Sequence, residues 1–285
     1  MGVNKRLFPK APSSAEGKYP TAITLASSYS STSNEVNPSS QTGYIRSGID
    51  MSNDGLKLFS INEYPTNTVY EYDLSTAYDL TSMTLSATDS FTPPQSYAGD
   101  VKFSPDGSKM FIVTSTNNRM YQYNLSTPFD ISTRDGGTLF DPSYTVHGFA
   151  IVNSGNTMFT QGYNNSTSIT LRKWNLSTPY TLTGASYVQG ITLSASTIGV
   201  PDVRGYGGDW SEDGKQFILG TINGANASVK DLFTIDFATA YDLDGTKTYN
   251  TSSADGRAGA VKILDGGTKM LWGDEGSQKF RMFNI

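Results

Sequence analysis

The 285-residue chain has no cysteine and a single histidine, His147. Without cysteine there is no disulfide framework, no thiolate nucleophile and no sulfur-rich metal site. One histidine is too few for a His-rich metal centre. No Gly-x-Ser-x-Gly elbow accompanies it to build a serine triad, so a structural histidine is the simpler reading. Charged residues make up only 16% of the chain and the net charge is −5, which leaves no basic footprint for nucleic acid or an anionic membrane. No run of 18 apolar residues exists, so no spanning helix is expected. Sustained helical periodicity is also lacking, so there is no helix for a phosphate-binding glycine loop to open. The opening Met-Gly-Val-Asn-Lys-Arg has no apolar signal core, and Arg6 stands where a myristoylation pattern needs Ser or Thr.

What the chain does have is a repeat. Turns of similar chemistry occur at Ser52-Asn53-Asp54-Gly55, Ser104-Pro105-Asp106-Gly107, Val152-Asn153-Ser154-Gly155, Ser211-Glu212-Asp213-Gly214 and Leu264-Asp265-Gly266-Gly267, the closing glycines lying 52, 48, 59 and 53 residues apart. A period near 50 points to a propeller. Gly at the fourth position suits a type I turn followed by a left-handed residue. Each turn leads into a short strand (Lys57-Leu58-Phe59, Lys109-Met110-Phe111, Thr157-Met158-Phe159, Lys215-Gln216-Phe217, Lys269-Met270-Leu271) and then into an alternating aromatic strand. On those third strands Tyr72, Tyr123, Trp174 and Phe283 are expected to pack between blades. Copies one to four continue into a fourth strand, but copy five meets Ile285 first. Residues 22–27 (Ala-Ile-Thr-Leu-Ala-Ser) read like Gly190–Ala195 and are expected to supply the missing strand. The fold class is therefore all-β: a five-bladed β-propeller of four-stranded antiparallel blades over residues 19–285, the last blade closed by the N-terminal strand.

Residues 1–18 lie outside the repeat. They are basic and interrupted by Pro9 and Pro12. They read either as a solvated tail or as an extended arm docked on a partner, with Leu7 and Phe8 as anchor and Lys5, Arg6 and Lys10 facing an acidic surface.

The inner strands place Asp50, Lys102, Ala150, Asp209 and Lys262 in one row. Carbohydrate-cleaving five-bladed propellers carry their carboxylates on such strands, and glycoside hydrolysis needs two of them. Here the signs alternate between neighbours, so inter-blade ion pairing is the simpler reading. Asp100 and Asp202 are further acids near inner-strand starts, without a sequence-evident acid partner. The Asp-Gly turns lack the twelve-residue calcium pattern. The sequons at Asn124 and Asn175 belong to the Leu-Ser-Thr repeat. No catalytic residue, cofactor or metal is expected. Tyr64, Tyr97, Tyr163 and Tyr206 fall in loops suited to stacking a sugar or meeting a protein. The longest insertions, around 161–169 and 196–208, are where a specific face would be built.

Tyr72-Asp73-Leu74-Ser75-Thr76-Ala77-Tyr78-Asp79-Leu80, Tyr123-Asn124-Leu125-Ser126-Thr127-Pro128-Phe129-Asp130 and the preceding Phe103-Ser104-Pro105-Asp106-Gly107-Ser108-Lys109-Met110-Phe111 resemble a repeat of marine bacteriophage virion structural proteins. Trp174–Tyr180 and Phe237–Leu243 are further copies, so the resemblance covers about residues 48–285. It implies a non-enzymatic propeller on a tail or capsid surface, made in the host cytoplasm without a signal peptide. The arm would fix it to other virion proteins, and the loops would meet a host-surface glycan, a protein or neighbouring subunits. The alternative is a carbohydrate-active enzyme or lectin using the mouth of the propeller channel.

Overall fold

The computed structural model describes residues 23–24, 28–29, 32–38, 47–62, 66–94, 97–114, 118–164, 167–221, 231–254, 258–274 and 276–285. The arm residues Lys5, Arg6, Leu7, Phe8 and Lys10, and also Tyr64, lie outside these. Five sheets of antiparallel strands form a five-bladed propeller. Blade one runs Ile49–Met51, Lys57–Ile61, Val69–Leu74 and Met83–Phe91. Blade two runs Ala98–Phe103, Lys109–Thr114, Arg119–Asn124 and Thr138–Phe140. Blade three has Gly148–Val152, Thr157–Asn164, Ser168–Asn175 and Ser186–Ser194. Blade four has Asp209–Trp210, Gln216–Gly220, Asp231–Phe237 and Lys247–Ala254, and blade five Ala258–Leu264, Lys269–Asp274 and Lys279–Asn284. Because strands alternate in direction, the Asp-Gly and Leu-Ser-Thr turns share one face. The remaining connections, including 141–147 and 195–208, share the other, the loop face.

The Leu-Ser-Thr segment has a mechanical role in this fold. Its aromatic residue (Tyr78, Phe129, Tyr180 or Tyr241) takes a positive φ of 53–60° and lays its ring over the turn glycine of its own blade. Its backbone N–H donates to that glycine's carbonyl, at 2.9 Å for Tyr78 to Gly55 and 3.0 Å for Phe129 to Gly107. A Cβ on Gly107 would sit 2.2 Å from the Phe129 ring, on a residue whose φ is +69°. Glycine is thus required twice over, by conformation and by space. The strained aromatic is held because the ring and the carbonyl both lock it.

Blades are also tied along the third strands. Glu71 Oε2 accepts from Ile131 N–H of blade two at 3.1 Å, and Gln122 Oε1 from Leu182 N–H of blade three at 2.9 Å. The predicted inter-blade aromatics lie in this core: Tyr72, Tyr123, Trp174 and Phe283 are all buried. In copy four the second strand is shifted by one residue from the sequence reading. Ser211 N–H donates to Gln216 O as Ser52 does to Lys57 O, so Gln216, not Lys215, takes the lysine position.

The strand that closes blade five comes from the N-terminal segment as expected, but it is Glu35–Val36 and not the 22–27 string, of which residues 22 and 25–27 lie outside the described residues. Glu35–Val36 completes blade five, pairing Glu35 with Arg281 and Val36 with Phe280. Glu35 is held by an ion pair to Lys279 and another to Arg281 at 3.3 Å. Upstream, Ile23 is buried between blades four and five with Ile218, Val261 and Trp272, and exchanges hydrogen bonds with the Gln216 side chain. Ser28–Tyr29 then runs parallel to Ser253–Ala254 as a fifth strand on blade four. Ile23 of that string is therefore taken by the core between blades four and five. Asn34 completes the seam to blade one. Its Oδ1 accepts from Leu80 N–H and its Nδ2 donates to Tyr78 O, both at 2.8 Å, while its carbonyl accepts from Met282 N–H at 3.0 Å. Met282 occupies the position of Glu71 and Gln122 and cannot accept that amide, so the N-terminal segment supplies the acceptor.

Candidate functional site

Two layers of inner-strand residues surround the ring axis. The layer nearer the turns is Asp50, Lys102, Ala150, Asp209 and Lys262. Lys262 Nζ lies 3.5 Å from Asp50 and 3.7 Å from Asp209, joining blades five, one and four. Burial pulls the Lys262 ammonium down, but Asp209 and Asp50 outweigh it and hold its pKa above the ordinary lysine value. Lys102 does not turn to Asp50. It lies 3.6 Å from Asp100 and donates to Ile49 O at 3.1 Å.

The second layer, two residues earlier on each strand, is Gly48, Asp100, Gly148, Gly207 and Ala260. Four small residues leave room for one carboxyl. A Cβ on Gly48 would lie 2.0 Å from Asp100 Oδ1, and one on Gly207 only 3.3 Å from it. Backbones also meet directly here: Gly48 N–H donates to Gly99 O at 3.0 Å, and Val261 N–H to Gly207 O at 2.8 Å. The axis is filled at this level. Burial pushes the Asp100 carboxyl up to about 7, with the Asp50 charge adding to it and Lys102 and backbone N–H groups opposing.

The three axial carboxylates share one further task. Asp50 Oδ2 accepts from Phe103 N–H at 2.7 Å, Asp100 Oδ2 from Phe149 N–H at 3.2 Å, and Asp209 Oδ2 from Ile263 N–H at 3.0 Å. Each bond crosses to the next blade. Each is a charge-assisted hydrogen bond that ties one blade to the next. Among the described residues, no group of three or more His, Asp or Glu side chains is placed to hold a metal ion. No helix among them is long and apolar enough to cross a membrane.

The loop face gathers a different set. Ser194 caps the single helical turn Ala195–Ile198, and Gly199 ends it at φ 88°. Ile198, Val200 and Val203 then bury in the core between blades three and four. That anchoring fixes the next residues. Asp202 is buried and grips Arg204 through Nε at 3.0 Å and Nη2 at 2.5 Å. The hydrogen bonds to Asp202 raise the Arg204 pKa further, with the nearby Tyr163 and Tyr206 hydroxyls contributing.

Tyr206 is buried, its carbonyl accepting from Gln161 Nε2 at 3.0 Å. Tyr163 stacks on His147 with ring centroids 3.8 Å apart, and Tyr206 stands edge-on to both at 5.8 and 6.1 Å. His147 is 7% exposed, and burial pulls its pKa down to about 4. It is structural in its stacking, yet among the described residues its Nδ1 has no hydrogen-bond partner. Of the four tyrosines expected in loops, then, the structure places Tyr163 within the strand Thr157–Asn164 and buries Tyr206, and it brings these two together. Tyr97 stands 48% exposed at the start of blade two. Sequence reasoning singled out Asp202 but missed Arg204. The only signal was an Asp-x-Arg spacing within the longest insertion, where no repeat register guides the eye.

No family model matches the chain, and no curated protein matches it. Several solved structures are similar. A protein from Lactobacillus plantarum aligns at TM-score 0.49 and 13% identity, over 84% of this chain and 67% of that one. A Bacteroides fragilis protein assigned provisionally as a 6-phosphogluconolactonase aligns at TM-score 0.48 and 12% identity, over 84% and 80%. A functionally unknown protein from Desulfotomaculum acetoxidans aligns at TM-score 0.44 and 14% identity, over 84% and 68%. Likenesses at this level assign this chain neither an activity nor a partner.

Proposed function

We propose that this chain is a non-enzymatic structural and binding module of a bacteriophage particle, tail-associated or decorating the capsid. In this reading residues 1–18 attach it to other virion proteins and the loop face points outward to a host surface or a neighbouring subunit. The observation that carries the non-catalytic part is the use made of the axial carboxylates. Asp50, Asp100 and Asp209 each accept a backbone N–H from the next blade, and the axis beside Asp100 is filled by Gly48 and Gly207. The particle itself is supported by the repeat strings around Leu74-Ser75-Thr76 and Leu125-Ser126-Thr127.

The test is particle incorporation. Purified particles from the genome encoding the chain should contain it, and deleting residues 1–18 should release it while the free ring keeps its β-sheet circular dichroism. Particles that retain the truncated chain at full copy number would refute the anchoring role, and particles lacking the intact chain would refute the virion assignment. The second reading, a lectin or carbohydrate-active enzyme, is favoured by one feature only: the aromatic pair Tyr163 and Tyr206 on the loop face.

A further inference from the structure

The Asp202–Arg204 pair is built in a way the fold alone does not call for. Asp202 is 1% exposed, and both of its oxygens are turned to Arg204. A buried carboxylate is costly unless compensated, and here the compensation comes from one residue two positions on, through its guanidinium and its backbone N–H. The grip is side-on, through Nε and Nη2. Among the described residues, Nη1 and the outer N–H of Nη2 have no partner, and the Arg204 side chain stays 28% exposed. A planar donor edge is thus held rigid and presented to solvent, the geometry that recognises a carboxylate in two parallel hydrogen bonds.

Beside this edge stand three rings, Tyr163 stacked on His147 and Tyr206 edge-on to both. Among the described residues, His147 Nδ1 is buried without a hydrogen-bond partner, which is expensive for a polar atom and unusual in a native fold. Its imidazole is neutral at physiological pH. The site therefore offers one cation already balanced by Asp202, and the half-buried ring of Tyr163 stacked on a neutral imidazole. A dianion such as a phosphate monoester would meet too little positive charge. A neutral sugar would leave the guanidinium edge unused.

We infer that this cluster binds the carboxylate of an acidic sugar, of the uronic or sialic acid class. Arg204 takes the carboxylate through its unspent donors, and the half-buried ring of Tyr163, stacked on His147, lines the apolar face of the pyranose. This rests on the reading of the loop face as the binding face, and names the ligand for it.

The only histidine of the chain makes the test clean, since its imidazole signals are unambiguous. The full chain, labelled with nitrogen-15, is titrated with a galacturonate trisaccharide and with sialyllactose. Galactotriose and lactose are the neutral controls, and acetate and sulfate the small-anion controls. At least one acidic sugar should bind tenfold or more tighter than its neutral counterpart and shift the His147 signals. R204Q and R204K should each lose that preference, because lysine cannot reproduce the fork. Equal binding of acidic and neutral sugars, binding that leaves the His147 signals in place, or acetate or sulfate binding as tightly as the sugars would each overturn the inference. If the Arg204 variants fail to fold, the comparison on the unaltered chain still decides. Failure here leaves particle attachment through the arm untouched, because that is read by incorporation and not by sugar binding.

Discussion

Replacing Asp100 with asparagine should make the ring more stable at neutral and alkaline pH, although it deletes one partner of an ion pair. The carboxyl is fully buried at the axis, between Gly48 and Gly207, and titrates near 7 instead of the ordinary 3.8. Between those values the folded state holds a proton that the unfolded chain releases, so stability falls as pH rises from about 4 to about 7. At roughly 1.4 kcal/mol per pH unit the loss approaches about 4 kcal/mol by pH 8. Asparagine keeps an acceptor for Phe149 N–H and carries no charge, and Lys102 retains its bond to Ile49 O. His147 contributes a slope of the opposite sign. Its pKa falls from 6.5 to about 4, so the unfolded chain takes up the proton first and stability is lost as pH falls through that window, by roughly 3 kcal/mol. The two slopes oppose each other in the native protein. Urea midpoints measured from pH 4.5 to 8 should therefore diverge. The stability of Asp100→Asn relative to wild type should climb with pH, and that of His147→Gln should climb as pH falls. An Asp100→Asn difference that is flat with pH, or largest in acid, would refute the axial placement of this carboxyl.

Two further perturbations probe the ring's construction. Asn34→Ala removes the acceptor of the buried Leu80 N–H, which should cost about 1–3 kcal/mol and raise hydrogen exchange selectively at residues 78–82, beside the seam. Gly107→Ala forces a Cβ to within 2.2 Å of the Phe129 ring at φ +69°, and should cost more than the ~1–2 kcal/mol of backbone strain alone. In a Phe129→Ala background the same change should cost only the strain, a coupling that a double-mutant cycle on urea midpoints reads directly.

The blade count was legible because each copy repeats the same turn glycine, and in the first four copies that glycine answers to a ring on its own blade's Leu-Ser-Thr segment. The ion row was legible because period-two strands keep a register. Lys102 nevertheless turned to Asp100, since residues two apart on a strand share a face. The closing strand was misread for a physical reason. A two-residue edge strand such as Glu35–Val36 carries too little pattern to compete with an Ile-Thr-Leu string, and its attachment comes from ion pairs to Lys279 and Arg281 that alternation does not signal. The one-residue shift in copy four followed from a turn in which Lys215 directly succeeds Gly214. Arg204 was missed because the insertion that carries it has no counterpart in the other copies. Its position is set by Ile198, Val200 and Val203 burying beneath it.

The central claim is that the axial carboxylates hold blades together and perform no chemistry. The most direct measurement is the paired substitution Asp50→Asn with Asp209→Asn, examined for stability and for hydrolysis of a polysaccharide panel in the same preparations. Removing both charges leaves Lys262 without either of its carboxylates, so stability should drop toward about 3 kcal/mol below wild type. The two preparations should show the same hydrolysis within error. A variant that keeps its stability but abolishes a hydrolysis found in the wild type would contradict the claim.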